Sequence, residues 1–117
     1  MALDSLELAR AIVDVMVEKQ AEDIVVLDLR EVSILTDYFV IANATSERQG
    51  QALLQGIRGE IKEAHTVTPL HVEGEPASGW VLMDYGSVVV HLFAPEMRRY
   101  YDLEGFWRNS RVVLRLI

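Results

Sequence analysis

The sequence predicts an α/β fold: a single-domain α-β sandwich, its mixed sheet of about five strands flanked by helices. Three observations carry that expectation. Apolar spacing alternates between helical stripes and short β-branched runs, in the order helix, strand, strand, helix, then strands and short helices. Half of the 117 residues are apolar and a quarter charged, enough for one core without a metal or disulfide framework. Proline and glycine gather in one loop region, residues 65–79, and no repeat, linker or low-complexity segment divides the chain.

The first element is an amphipathic helix over residues 4–19. Asp4 and Glu7 have capping-box spacing, and Leu8, Ile12, Val15 and Met16 recur on one stripe. Ile24 to Leu29 and Tyr38 to Ala42 are short, almost wholly apolar runs, as expected of strands covered on both faces. Thr45 and Ser46 then offer caps for a helix whose Leu53, Ile57, Ile61 and Ala64 align. Gly56 and Gly59 weaken that helix by about 1 kcal/mol each relative to alanine. After the loop, with a short strand near Leu70 to Val72, come Trp80 to Asp84 and Ser87 to Phe93, joined by a two-residue turn at Tyr85-Gly86. Pro95 suits a first helical position, and Asp102 can cap one more brief turn through Trp107. Residues 108–117 read as a basic tail.

Charge and composition exclude several classes. The net charge of −7 argues against coating nucleic acid by bulk attraction. Residues 1–97 hold 6 basic and 16 acidic side chains, whereas residues 98–117 hold five arginines against Asp102 and Glu104. That local excess is either a solubilising tail or a contact for phosphate or acidic protein. There is no cysteine, which removes disulfide and thiolate chemistry and fits a reducing cytoplasm. Acids inside the N-terminal apolar run are expected of neither a signal peptide nor a membrane span.

Seven of the nine Phe, Trp and Tyr residues lie between Trp80 and Trp107, a density beyond the needs of one small core. Alternation along the first hairpin strand puts Trp80, Leu82 and Asp84 on one face and Val81, Met83 and Tyr85 on the other. Tyr100 and Tyr101, adjacent in a helical turn, cannot both be buried in one place. Leu103, Phe106 and Trp107 form an apolar edge beside Asp102 and Glu104. Such an edge either caps the sheet or, rings rimmed by charge, meets a partner.

Reaction centres find little support. His65, His71 and His91 show no ligand-pair spacing, and His91 alternates with Val89 and Phe93 as a packed structural histidine would. Nucleotidyl transfer requires a Gly-Ser turn followed by two carboxylates one residue apart to hold metal ions. Gly86-Ser87 is present, but no acid follows before Glu96; Asp28-Leu29-Arg30 puts an arginine where the second acid belongs. No cofactor or metal site is expected.

Asp84-Tyr85-Gly86, the run Val88 to Phe93, Pro95-Glu96 and Tyr101-Asp102-Leu103-Glu104 with Trp107 closely resemble the signature of the ribosomal silencing factor, or Iojap, family. Asp37 to Ala42 followed by Thr45-Ser46 resembles that family's other segment, and the likeness spans roughly residues 3–110 in order and spacing. It implies one domain over residues 1–117, nucleotidyltransferase-like but without catalytic residues. It implies a non-enzymatic, cytoplasmic translational repressor. The partner would be the large ribosomal subunit, bound through the ribosomal protein numbered fourteen on the intersubunit face, blocking the small subunit when nutrients are short.

The family's strongest pattern falls on Trp80, Asp84, Tyr85, Gly86, His91, Phe93, Glu96, Tyr101, Asp102, Leu103, Glu104 and Trp107. Of these, Trp80, Tyr85, Tyr101, Asp102, Leu103, Glu104 and Trp107 are the expected partner-binding residues, the carboxylates meeting basic ribosomal side chains. Arg108, Arg111 and Arg115 are candidates for contact with ribosomal RNA. Ser87 stands where the family usually has an acid, and Gly105 where it has a larger residue. Two alternatives stand beside this expectation: a nucleotidyltransferase-like enzyme with an unrecognised site, and a module whose aromatic patch pairs with a second copy in the free protein.

Overall fold

In the computed structural model, which describes residues 3–117, six strands form one mixed sheet with its two long helices on one side. Helix α1 (Ser5–Glu18) leads into β1 (Glu22–Asp28) and β2 (Tyr38–Asn43), followed by helix α2 (Glu47–His65). Then come the short β3 (His71–Glu73), a 3-10 turn at Pro76–Ser78, β4 (Trp80–Asp84) and β5 (Val88–Phe93). Helices α3 (Pro95–Tyr101) and α4 (Leu103–Phe106) precede β6 (Arg111–Leu116). The sheet order is β3-β4-β5-β2-β1-β6; β2 and β5 run parallel, and every other neighbouring pair is antiparallel.

Local chemistry explains where the long helices begin. Asp4 Oδ1 accepts from the Glu7 amide at 2.8 Å while the Glu7 carboxylate accepts from the Asp4 amide, the full capping box. Ser46 Oγ likewise accepts from the Gln49 amide at 3.0 Å to open α2. Their apolar stripes, Leu8, Ile12, Val15 and Met16 on α1 and Leu53, Ile57 and Ile61 on α2, press into Val40, Val81, Met83, Val88 and Val90 of the sheet. Gly56 lies at the α1–α2 contact, where a Cβ would come within 2.9 Å of Lys19 Cε; nothing crowds Gly59.

Three expectations change. The sheet has six strands rather than about five, because residues 111–116 are not a tail. They pair antiparallel with β1, Val26 opposite Leu114, and Leu114 packs on the helix-side core. Arg111 and Arg115 flank that strand and made it look like a solvated end. The hairpin turn also moves by one residue: Tyr85 and Val88 are hydrogen-bonded, so Gly86-Ser87 forms the loop. Gly86 takes φ +87°, and its amide donates to Asp84 Oδ1 at 2.7 Å.

The other face of the sheet carries a much smaller core: Val25, Leu27, Leu29, Ile41 and Phe93 are buried there. Phe39, Trp80, Met97, Leu103 and Trp107 pack against them, partly exposed, so the short α3–α4 segment is this face's main cover. The rest of it faces outward.

Candidate docking surface

The α3–α4 segment is bent by one residue and fastened by another. Pro95 opens α3 with its fixed φ, and Asp102 ends it in the left-handed region at φ +46°. The same aspartate begins α4, its Oδ1 accepting from the Gly105 amide at 3.1 Å. A Cβ at position 105 would lie about 2.1 Å from Asp102 Oδ2. Glycine there therefore lets the carboxylate fold over the turn.

Arg98 is the fastening. It is 6% exposed, unusual for an arginine, and every side-chain nitrogen is engaged. Nε and Nη2 donate to the two carboxylate oxygens of Glu104 at 2.9 and 3.0 Å, while Nη1 donates to the Asp23 carbonyl and to Asn43 Oδ1 at 3.0 Å. One guanidinium thus joins α3, α4, β1 and β2. Those hydrogen bonds, with the charges of Arg98 and Arg115, hold the Glu104 carboxyl below its ordinary range. Glu104 was expected to meet a partner's basic side chains; it is instead turned inward on Arg98. Nothing in the sequence pairs these two, and Arg98 counts there only as one of five arginines in the basic C-terminal stretch.

With the segment held this way, rings assemble over the small core. Trp80 stacks on Phe93 at 5.1 Å between centroids and meets Tyr101 at 4.5 Å. Phe39 touches His91 at 4.5 Å and Trp107 at 5.9 Å, both edge to face. Trp80 Nε1 donates to His91 Nδ1 at 3.1 Å, which places the imidazole proton on Nε2. Burial among these rings pushes His91 down to about 4, so it is neutral near pH 7.

Trp80, Tyr101, Leu103 and Trp107 are therefore brought together, with Asp102 exposed at the corner. Tyr85 is not among them. It lies across the sheet in the helix-side core, 8% exposed, and burial raises its phenol to about 12. The alternation along this strand had already put the two on opposite faces. Phe106, expected on an apolar edge with Leu103 and Trp107, points to solvent instead. Phe39 and His91 were missed as contributors; Phe39 alternates with the buried Tyr38 and Val40, the available sign that it faces the other way.

Two of the three C-terminal arginines are paired with acids of the fold. Arg115 approaches Asp23 at 3.2 Å and Glu104 at 3.9 Å, and Arg111 approaches Asp28 at 3.5 Å. Arg108 forms no ion pair among the described residues and donates weakly to the Gly105 carbonyl. Asp28, the acid nearest to nucleotidyl-transfer spacing, accepts three hydrogen bonds from Arg30, which with the nearby arginine charges hold it down at about 2. Among the described residues no group of three or more His, Asp or Glu could hold a metal ion, and no helix is long and apolar enough to cross a membrane.

Fold and site define the class first: a mixed-sheet α/β domain with a one-sided helical layer and an aromatic second face. The chain belongs to the ribosomal silencing factor family, whose model, described as ribosomal silencing factor during starvation, matches residues 2–115. It is 39% identical to ribosomal silencing factor RsfS of Bacillus subtilis, over 90% of this chain and 86% of that protein. Against the protein of that name from Zymomonas mobilis the identity is also 39%, over 91% and 79%. A crystal structure of a Chromobacterium violaceum protein superposes with a TM-score of 0.85 at 30% identity, covering 98% of this chain and 94% of that one. A Bacillus halodurans structure gives 0.77 at 35%, over 87% and 94%.

Proposed function

We propose that this domain represses translation in the cytoplasm by occupying the intersubunit face of the large ribosomal subunit. It docks there on the ribosomal protein numbered fourteen and sterically blocks the small subunit. The observation that carries this is the second sheet face, where Trp80, Tyr101 and Trp107 stand partly exposed over a small core and Arg98 fixes the segment presenting two of them. Rings held rigid before contact give contact area at low entropic cost, and Asp102 beside them suits a basic partner. Occupancy requires neither turnover nor cofactor. Arg108, the arginine outside the internal ion pairs, is the best placed of the three to reach ribosomal RNA.

Sedimentation of the purified protein with separated subunits tests the proposal. Co-migration with the large subunit and fewer joined ribosomes after adding small subunits is expected; co-migration with the small subunit alone, or with neither, overturns it. Self-association of the free chain is a second reading. The observation favouring it is the edge strand β6, where Val112, Val113 and Leu116 are exposed beside an unpaired backbone edge.

A further inference from the structure

Beside the Trp80–Tyr101 cluster the open face continues into a groove. Phe39, Leu82, Val89 and His91 line it from the sheet, and Trp107 and Leu35 line it from the segments beside the sheet. Leu35 is 87% exposed although apolar. Glu73 and Asp84 stand at the rim, and among the described residues no lysine or arginine lines the groove. His71 lies between the two acids, 3.4 Å from Glu73 and 3.8 Å from Asp84. The Phe39 and Trp107 rings beside an acidic rim attract cations twice, through the ring faces and through the carboxylates.

A second observation is independent of charge. Among the described residues three buried side-chain polar atoms lack a hydrogen-bond partner, and two of them, His91 Nε2 and Thr36 Oγ1, belong to residues lining this groove. With Nδ1 accepting from Trp80, Nε2 carries a hydrogen, and the threonine hydroxyl also donates. Both atoms lie beneath the groove surface, so its base holds two polar groups that the fold leaves unmatched.

We propose that this groove receives a basic, extended segment of a large-subunit protein, its lysine or arginine lying over Phe39 and Trp107 and ending at Glu73 and Asp84. This rests on the ribosome-binding proposal and names the chemistry of the partner within it. Phosphate is disfavoured by the acidic rim, and a second copy of a chain with 18 acids and 11 bases is a poorer source of cations than a basic ribosomal protein.

The test uses the full chain and purified large subunits, with a photo-reactive benzoylphenylalanine at Leu35 in one variant and at Tyr100, 78% exposed beyond the groove, in another. The expected product from position 35 is a crosslink to a lysine- or arginine-bearing peptide of a ribosomal protein, lost when Glu73→Lys is added. Crosslinking from position 100 but not 35, or from 35 to RNA or a second copy, overturns the groove and leaves the docking proposal standing. Crosslinking from neither overturns both. Glu73→Lys alone should weaken subunit binding about 10-fold at low salt, the difference shrinking as salt rises, while Glu63→Lys on the outer side of α2 leaves it unchanged. Equal affinities for these two variants count against the groove.

Discussion

The two faces of the sheet solve different problems with the same strands. On the helix side, aliphatic residues from α1 and α2 interlock with the strands, and the large side chains there are sealed from solvent. On the other side the buried core is five residues, and around it aromatic rings and one internal ion-pair network carry the surface. Strand β4 shows the division within five residues: Val81 and Met83 are buried, whereas Trp80, Leu82 and Asp84 are half-exposed. Stability is concentrated on one face, which leaves the other free to present rings.

The largest break in this comparison should come from the helix side. Ile57→Ala removes a fully buried side chain from α2 and should cost about 4 kcal/mol, read as a lower urea midpoint with an unchanged slope. Leu82→Ala, on the open face, should cost less than about 1 kcal/mol. Equal losses would refute the division of labour.

Arg98→Met comes next. It leaves the Glu104 carboxylate, the Asp23 carbonyl and Asn43 Oδ1 without their donor, at a cost of about 3 kcal/mol. Arg98→Lys should recover only part of this, because an ammonium cannot bridge both Glu104 oxygens in one plane. A melting temperature unmoved by Arg98→Met would show that α3–α4 is held by ring packing alone.

This network also marks where the sequence stops being legible. Elements with local signals were readable: the Asp4–Glu7 box, the Ser46 cap and the alternation in β4 each place their structure within a residue or two. What escaped was nonlocal. Strand β6 owes its existence to pairing with β1, some 85 residues earlier, and to acids on β1 that meet its arginines. The Glu104 carboxylate looked available because its partner lies in a neighbouring helix across a turn whose geometry depends on Asp102 at positive φ. Residue type and spacing singled out the aromatic segment from Trp80 to Trp107; which of its charges are already paired required three dimensions.

His91 gives a smaller, pH-dependent effect confined to the open face. The unfolded chain takes up this proton near pH 6.5, the folded chain only near 4, so acid favours unfolding. The contribution is complete above about pH 6.5 and disappears progressively as pH falls towards 4, amounting to roughly 2 kcal/mol between pH 7 and 5. Asp28 and Glu104, whose carboxyls are depressed, act in a lower window, lost below the ordinary carboxylate range. Unfolding free energies from urea titrations at the two pH values should therefore differ by that amount in the native chain and much less in His91→Phe, which keeps a ring but cannot titrate.

The smallest effect on stability should be the largest on binding. Tyr101 is 43% exposed and its ring rests on Trp80, so Tyr101→Ala removes contact area mainly from the surface and should lower stability by less than about 1 kcal/mol. If the open face is the docking face, large-subunit affinity should fall at least about 10-fold, because a half-buried tyrosine on a rigid patch is the kind of residue in which binding energy concentrates. Circular dichroism melts and subunit sedimentation on the same sample separate the two. A loss of binding that follows the loss of fold would return Tyr101 to the core; a variant that melts normally and still binds would move the contact elsewhere on the molecule. The division between faces predicts a third result, in which the fold persists and the ribosome contact does not.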